Sequence, residues 1–136
     1  MYKLYLVKFK VDSKFCYKIG ITRHIDVINR FVKDLKMKRI AEFKVIKSGY
    51  IHSEREALLL ENKLMETIFK SFPDNNHYPD PKNPKRGLYH NFFTETKLDG
   101  ITETRKYNQK EINLAIEFIK ENTYINYKDF KNARIK

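Results

Sequence analysis

The chain has 136 residues, which is the size of one ordinary domain and argues against an enzyme built from two domains with separate cores. Hydrophobic residues make up 41% of it, with only four Gly and four Pro, so the sequence predicts a packed domain rather than a disordered one. The formal net charge of +11 favours a polyanionic partner, of which nucleic acid is the commonest.

The beginning of the chain predicts a β-hairpin. Residues 2–10 alternate between two apolar faces, one with Tyr2, Leu4 and Leu6 and the other with Tyr5, Val7 and Phe9. After a polar turn at residues 11–14, residues 15–21 alternate again, with Phe15, Tyr17, Ile19 and Ile21 opposite Cys16, Lys18 and Gly20. Two strands joined by so short a turn are expected to pair antiparallel, and the first is expected to be covered on both sides.

A helix, a strand and a second helix are predicted to follow the hairpin. The helical period over residues 25–35 predicts an apolar stripe of Ile25, Ile28, Phe31, Val32 and Leu35. Residues 41–46 are strand-like. Ser53, with Glu56 three positions later, is typical of a capping box and predicts a helix from Ser53 to about residue 69.

The second half of the chain predicts a loop and a helical tail. Residues 72–86 contain all four prolines and predict a loop, and residues 88–93 predict a short strand or edge segment. Residues 108–121 predict an amphipathic helix. Residues 124–136 mix cations with Tyr124, Tyr127 and Phe130, which indicates either a surface for nucleic-acid stacking or aromatic rings packed on the core.

This order predicts a small α/β (α+β) fold, with a three-stranded antiparallel sheet flanked by helices. We expect one unit at residues 1–95 and a basic helical extension at 96–136, packed on or next to it. No stretch approaches the roughly 18 apolar residues of a membrane span, and the first residues lack the apolar core of a signal peptide. With the single cysteine, Cys16, this indicates a reducing compartment: bacterial or infected-host cytoplasm, with no membrane partner.

Several common sites are absent from the sequence. The four histidines show no zinc-ligand spacing, and no glycine-rich phosphate loop or hydrolase elbow is present. The anomaly is Glu61, which falls in the middle of an apolar arc formed by Ala57, Leu58, Leu60, Leu64, Met65 and Ile68. A carboxylate on such a face requires compensation. It indicates either a structural ion pair with a nearby Lys or Arg or a ligand for a hard divalent cation.

A resemblance rests on residues 3–7 (KLYLV), residues 17–22 (YKIGIT), an arginine on the next helix and one glutamate on a later helix. In that order they resemble the GIY-YIG nuclease superfamily, in particular a phage and bacterial branch whose second signature strand reads Lys-Ile-Gly. The resemblance covers residues 3–93. It implies a small metal-dependent DNA endonuclease, possessing one Mg²⁺ (or Mn²⁺) and hydrolysing phosphodiester bonds.

The resemblance also implies roles for individual residues. Tyr5 would help to activate or position the attacking water, Arg30 would stabilise the phosphorane charge, and Glu61 would bind the metal. Lys18 replaces the second signature tyrosine and could orient water or contact phosphate. Asn91 would brace the site, although many members of this branch have a glutamate in that stretch. Each side chain also has a purely structural interpretation: Tyr5 as a core residue, and Lys18 and Arg30 as surface cations.

Contacts with the sugar-phosphate backbone of the nucleic acid are expected from these residues: Gly20, Lys33, Lys36, Lys38, Arg39, Lys85 and Arg86. Gly20 would leave room for the DNA backbone, or would simply be a turn glycine. The lysines could equally be solvated. We expect a monomer or weak dimer. Two other functions remain open: a catalytically inactive nucleic-acid-binding module, and a phage inhibitor that binds an acidic host protein.

Overall fold

A computed structural model of the chain describes residues 1–11, 14–36, 40–72, 78–79, 88–89, 104–105 and 107–135. Its sheet is built from three long antiparallel strands: β1 (Tyr2–Val11), β2 (Lys14–Thr22) and β3 (Ala41–Ile51). The central strand β1 pairs with β2 on one side and with β3 on the other. The predicted α+β class with a three-stranded antiparallel sheet is confirmed.

The helices flank this sheet. A 3₁₀ turn over Val27–Phe31 leads into α1 (Val32–Lys36), and the longer helices are α2 (Glu54–Ser71), α3 (Gln109–Asn122) and α4 (Tyr127–Ile135). Three two-residue strands complete the described elements. Of these, β4 (Tyr78–Pro79) pairs with β5 (Leu88–Tyr89), and β6 (Thr104–Arg105) extends the sheet beside β2.

The hairpin register confirms the predicted faces of the strands. Tyr5 lies opposite Gly20, and Leu6 lies opposite Ile19, so Tyr5 and Gly20 share one face while Leu6 and Ile19 share the other. Each face carries a core of its own. We call the face with Leu4, Leu6 and Ile19 the α2 face and the face with Tyr5, Lys18 and Gly20 the α1 face.

The α2 face is covered by α2 and α3. Its core includes Leu4, Leu6, Ile19, Ile51, Ala57, Leu64, Met65, Ile68, Ile112, Ala115, Phe118 and Ile119. The α1 face is covered by the 3₁₀ turn and α1, with a smaller core of Tyr5, Val7, Phe9, Cys16, Val27, Phe31 and Ile40. Because α3 packs into the same core as β1 and α2, the first helix of the predicted extension is an integral part of this fold.

The prediction for residues 25–35 is wrong in two respects. The regular turns begin only at Val27 and start as a 3₁₀ turn, so Ile25 precedes them and lies on no helical face. Ile25 and Ile28 are exposed, whereas Val27, four positions before Phe31, is buried. The first two residues of the predicted apolar stripe, Ile25 and Ile28, are therefore not part of the buried face. Leu58, assigned to the apolar arc of α2, is also exposed.

Other observed boundaries differ from the predicted ones, but the order of the elements is as predicted. The strand predicted at residues 41–46 continues to Ile51. The helix predicted at 108–121 spans Gln109–Asn122, and its N-cap Asn108 forms a complete capping box with Glu111. Tyr78–Pro79 forms a two-residue strand within the predicted loop, and Leu88–Tyr89 is the described part of the strand predicted at 88–93.

Candidate functional site

Tyr5 and Gly20 form one packed unit on the α1 face. The Tyr5 side chain is 1% exposed and contacts Phe31 edge to face, with ring centroids 5.8 Å apart. A Cβ atom added to Gly20 would lie 2.5 Å from the Tyr5 hydroxyl oxygen and 2.8 Å from its Cζ. Gly20 therefore makes room for the Tyr5 ring. That space is not left for a DNA backbone, as the sequence interpretation expected of Gly20.

Lys18 and Cys16 lie on the same face further along β2. Lys18 is 3% exposed, so it is not the solvated strand lysine that was one of its two interpretations. Burial raises the pKa of the Cys16 thiol to about 12, so this group stays protonated at neutral pH. A protonated, buried thiol is a poor nucleophile.

Arg30 lines a pocket at the end of the hairpin. The pocket has a volume of 380 Å³ and is bordered by Tyr2, Ile21, Thr22, Arg23, His24, Arg30 and Glu54. The backbone N–H of His24 donates a hydrogen bond of 3.2 Å to Thr22 Oγ1, which fixes the bend after β2. The guanidinium carbon of Arg30 lies 5.7 Å from the centre of the Phe31 ring.

The two arginines of this pocket have no carboxylate partner in the described part of the chain. The ion pair between Lys10 and Glu42 lies at the far end of the sheet. Glu54 lines the same pocket, but its Oε2 accepts a hydrogen bond of 3.0 Å from the Tyr2 hydroxyl. Two arginines that line one cavity, with no carboxylate partner among the described residues, form a surface suited to an anion.

Tyr2 and Glu54 are residues of this pocket that sequence reasoning missed. They are 52 positions apart, and no spacing rule connects a strand tyrosine with the first residue of a later helix. Desolvation, together with the hydrogen bond and negative charge of Glu54, raises the pKa of Tyr2, while Arg23 opposes the shift. Tyr2 is therefore a hydroxyl donor at neutral pH.

Glu61 is buried, as its place in the apolar arc predicted. Its side chain is 8% exposed, and it shares the inward stripe of α2 with Ala57, Leu64, Met65 and Ile68. That stripe packs on the α2 face, whereas Tyr5 points to the α1 face. The structure groups Tyr5, Lys18 and Gly20 on the α1 face, places Arg30 in the pocket at the end of the hairpin, and places Glu61 on the helix that packs on the α2 face.

The donor chemistry of Glu61 is compatible with Mg²⁺. This cation accepts one or two carboxylates and completes its shell with water and phosphate oxygens. Within the described ranges, no group of three or more His, Cys, Asp or Glu side chains is positioned to hold a metal ion. A metal at Glu61 would therefore depend on water and substrate for its remaining ligands.

The predicted DNA-contacting residues are only partly described. Lys36 is exposed at the end of α1, and Lys33 lies in the same helix. Asn91, Lys38, Arg39, Lys85 and Arg86 lie outside the described residues. In the tail, Phe130 is buried and packs on Tyr50, at 5.5 Å between ring centroids, and on His52, at 4.2 Å. At Phe130 the tail thus packs on the core, while Tyr127 remains exposed.

The comparisons with known proteins give no information on function, so the function is inferred from the geometry of the site. No protein-family model, curated protein or solved structure matches the chain. None of the helices in the described ranges combines the length and the apolar character needed to cross a bilayer.

Proposed function

We propose that the protein is a small metal-dependent DNA endonuclease that hydrolyses phosphodiester bonds. The observation that carries the proposal is the pocket at the end of the hairpin, which Arg23 and Arg30 both line without a carboxylate partner among the described residues. The net charge of +11 and the resemblance of the KIGIT strand and Arg30 to GIY-YIG nucleases support the same substrate.

The chain's own residues would act on a phosphodiester in three ways. Arg30 and Arg23 would bind the phosphate and neutralise charge that grows on its oxygens during hydrolysis. Tyr5 would position the attacking water from the adjoining α1 face. Lys18, buried on that face, would contribute positive charge beside Tyr5. A tyrosine is a weak base at neutral pH, so Tyr5 would position the water more than deprotonate it.

Glu61 is the residue that would hold Mg²⁺ or Mn²⁺ in this proposal. The bound cation would supply positive charge to the substrate and its leaving oxygen. One site of this kind cuts one strand, so a monomer would nick DNA and a weak dimer would cut both strands. The expected location is the cytoplasm of a bacterium or of an infected cell.

A second function is favoured by one observation: the inward stripe of α2, which carries Glu61, packs on the α2 face, whereas Tyr5 belongs to the core of the α1 face. If the metal-binding carboxylate does not reach the face of Tyr5, the pocket still binds phosphate but the water is not activated. The protein would then be a nucleic-acid-binding module that does not cut. DNA binding is common to both functions, and cleavage separates them.

The test of catalysis is a plasmid-nicking assay in Mg²⁺, Mn²⁺ and EDTA. We expect nicking that needs the metal and that falls at least about a hundredfold in Arg30→Ala and in Glu61→Gln, the scale of a lost transition-state contact. Matched controls are Arg55→Ala and Glu66→Gln, which change the same residue types on α2 outside the pocket and the inward stripe. Both should nick like the unmodified chain.

Folding of each variant is checked by its thermal unfolding transition. DNA binding without nicking in any metal would overturn the endonuclease and support the binding module. Nicking that survives Glu61→Gln would show that this carboxylate is not the metal ligand.

A further inference from the structure

The hairpin-end pocket is lined by residues of two kinds of chemistry, hydrogen-bond donors and a carboxylate. Arg23, His24 and Arg30 can donate hydrogen bonds to an anion, whereas Glu54 offers a carboxylate. A pocket meant only for phosphate gains nothing from a carboxylate, because its charge repels the ligand. A ligand that uses both the arginines and Glu54 must carry a phosphate and, a short distance away, a hydrogen-bond donor.

The Tyr2 hydroxyl holds the Glu54 carboxylate in place for such a ligand. The bond of 3.0 Å to Oε2 fixes one oxygen, and Glu54 pairs with neither arginine although all three line the same pocket. A glutamate at the first position of a helix is otherwise free to turn into solvent, and Glu54 itself is exposed. The contact with Tyr2 thus acts as an orienting device.

We infer that this pocket binds one nucleotide unit, with its phosphate against Arg23 and Arg30 and a sugar hydroxyl or base amino group donating to Glu54. The inference rests on the proposed function and names the recognition step of its substrate. The volume of 380 Å³ lies within the range of about 300–1,000 Å³ that small-molecule sites occupy. Glu54 is then a specificity-determining residue and Tyr2 a positioning residue.

The experiment is an NMR titration of the full ¹⁵N-labelled chain in EDTA, so that binding is measured without cleavage. The ligands are inorganic phosphate, 2-deoxyribose 5-phosphate, deoxyadenosine monophosphate and adenosine monophosphate. We expect the nucleotides to bind more tightly than phosphate. A gain with the sugar phosphate identifies a sugar hydroxyl as the donor, and a gain only with the complete nucleotide identifies the base.

The deciding comparison is Glu54→Gln against Glu56→Gln, because each removes one negative charge from the first turn of α2 and only Glu54 lines the pocket. Glu54→Gln should weaken nucleotide binding about tenfold, the scale of one hydrogen bond to a charged group, while phosphate binding stays equal or tightens. Glu56→Gln should move both affinities together. Tyr2→Phe should give a smaller loss confined to nucleotides.

Equal or tighter nucleotide binding by Glu54→Gln would overturn the inference, because it would show that the carboxylate only repels the ligand. If the chain nicks DNA but Glu54→Gln leaves its nucleotide affinity unchanged, the endonuclease proposal is supported and this inference is overturned. Nucleotide binding that depends on Glu54, without nicking in any metal, would support the inference and overturn the endonuclease.

Discussion

At the residue scale, the role of Gly20 is set by its neighbour across the hairpin. A glycine after Lys-Ile looks like a position kept open for a ligand, but the space is filled by the Tyr5 ring, which is itself buried. The glycine therefore serves the candidate site indirectly, by leaving room for the Tyr5 ring that contacts Phe31.

Gly20→Ala should destabilise the fold by about 1–3 kcal/mol, because the new methyl group overlaps the phenol ring and neither strand can move away. The measurement is urea unfolding of both proteins. In the background of Tyr5→Leu, which removes the ring, the same change should cost less than about 0.5 kcal/mol, as expected when the interacting partner is absent. An equal cost in both backgrounds would point to the backbone of β2 instead.

Residue-scale features were predictable where a local pattern carries them. The burial of Glu61 follows from its helical phase, since positions 57, 61, 64, 65 and 68 recur on one side of α2. No local sequence pattern predicts the contact of Tyr2 with Glu54, because this contact depends on the position of the first turn of α2 relative to β1 in the folded chain. The pocket around Arg30 was unpredicted for the same reason.

At the element scale, the starts of the two helices that have a capping side chain, α2 and α3, were predicted more accurately than the start of the 3₁₀ turn, which has none. Asn108 Oδ1 accepts the backbone N–H of Glu111 at 2.9 Å, and Glu111 Oε1 accepts that of Asn108 at 3.0 Å, so α3 begins where the sequence indicates. The 3₁₀ turn has no such signal, since its N-cap Asp26 makes no side-chain cap. Its start and stripe were therefore misplaced.

The capping box of α3 should be measurable in the stability of the whole protein, because α3 packs into the core of the α2 face. Asn108→Ala should lower the free energy of unfolding by about 1 kcal/mol, the usual value of an N-cap. The control is Asn62→Ala, an exposed position in the middle of α2, which should be neutral or slightly stabilising. Equal effects of the two changes would assign the loss to composition and not to the cap.

At the scale of the whole molecule, sequence reasoning gave the sheet and its two cores but not the side on which α2 packs. Strand alternation assigns Tyr5 and Leu6 to opposite faces from the sequence alone. The choice of face for α2 depends on the path of the chain after Ile51, which no spacing encodes. That choice places the inward stripe of α2, which carries Glu61, on the α2 face and leaves Tyr5 on the α1 face, so it bears directly on the proposed role of Glu61 as the metal ligand.

The net charge of the molecule leads to a prediction that distinguishes DNA binding at the hairpin-end pocket from non-specific electrostatic attraction of DNA. With a net charge of +11, DNA affinity should fall steeply between 50 and 200 mM salt, since each neutralised phosphate contributes about −0.9 to the slope of log affinity against log salt. Fluorescence anisotropy of a labelled duplex measures this slope. Arg23→Gln and Arg30→Gln should each reduce its magnitude by about one.

Arg55→Gln supplies the comparison, because it removes the same charge from an exposed position of α2 outside the pocket. Counterion release depends on direct phosphate contacts, whereas the long-range field depends on total charge, which all three variants lower equally. A change of slope confined to Arg23 and Arg30 would therefore mark the hairpin-end pocket as the place where the backbone binds. Identical slopes in all three would assign the affinity to diffuse charge and would remove the pocket from both proposed functions.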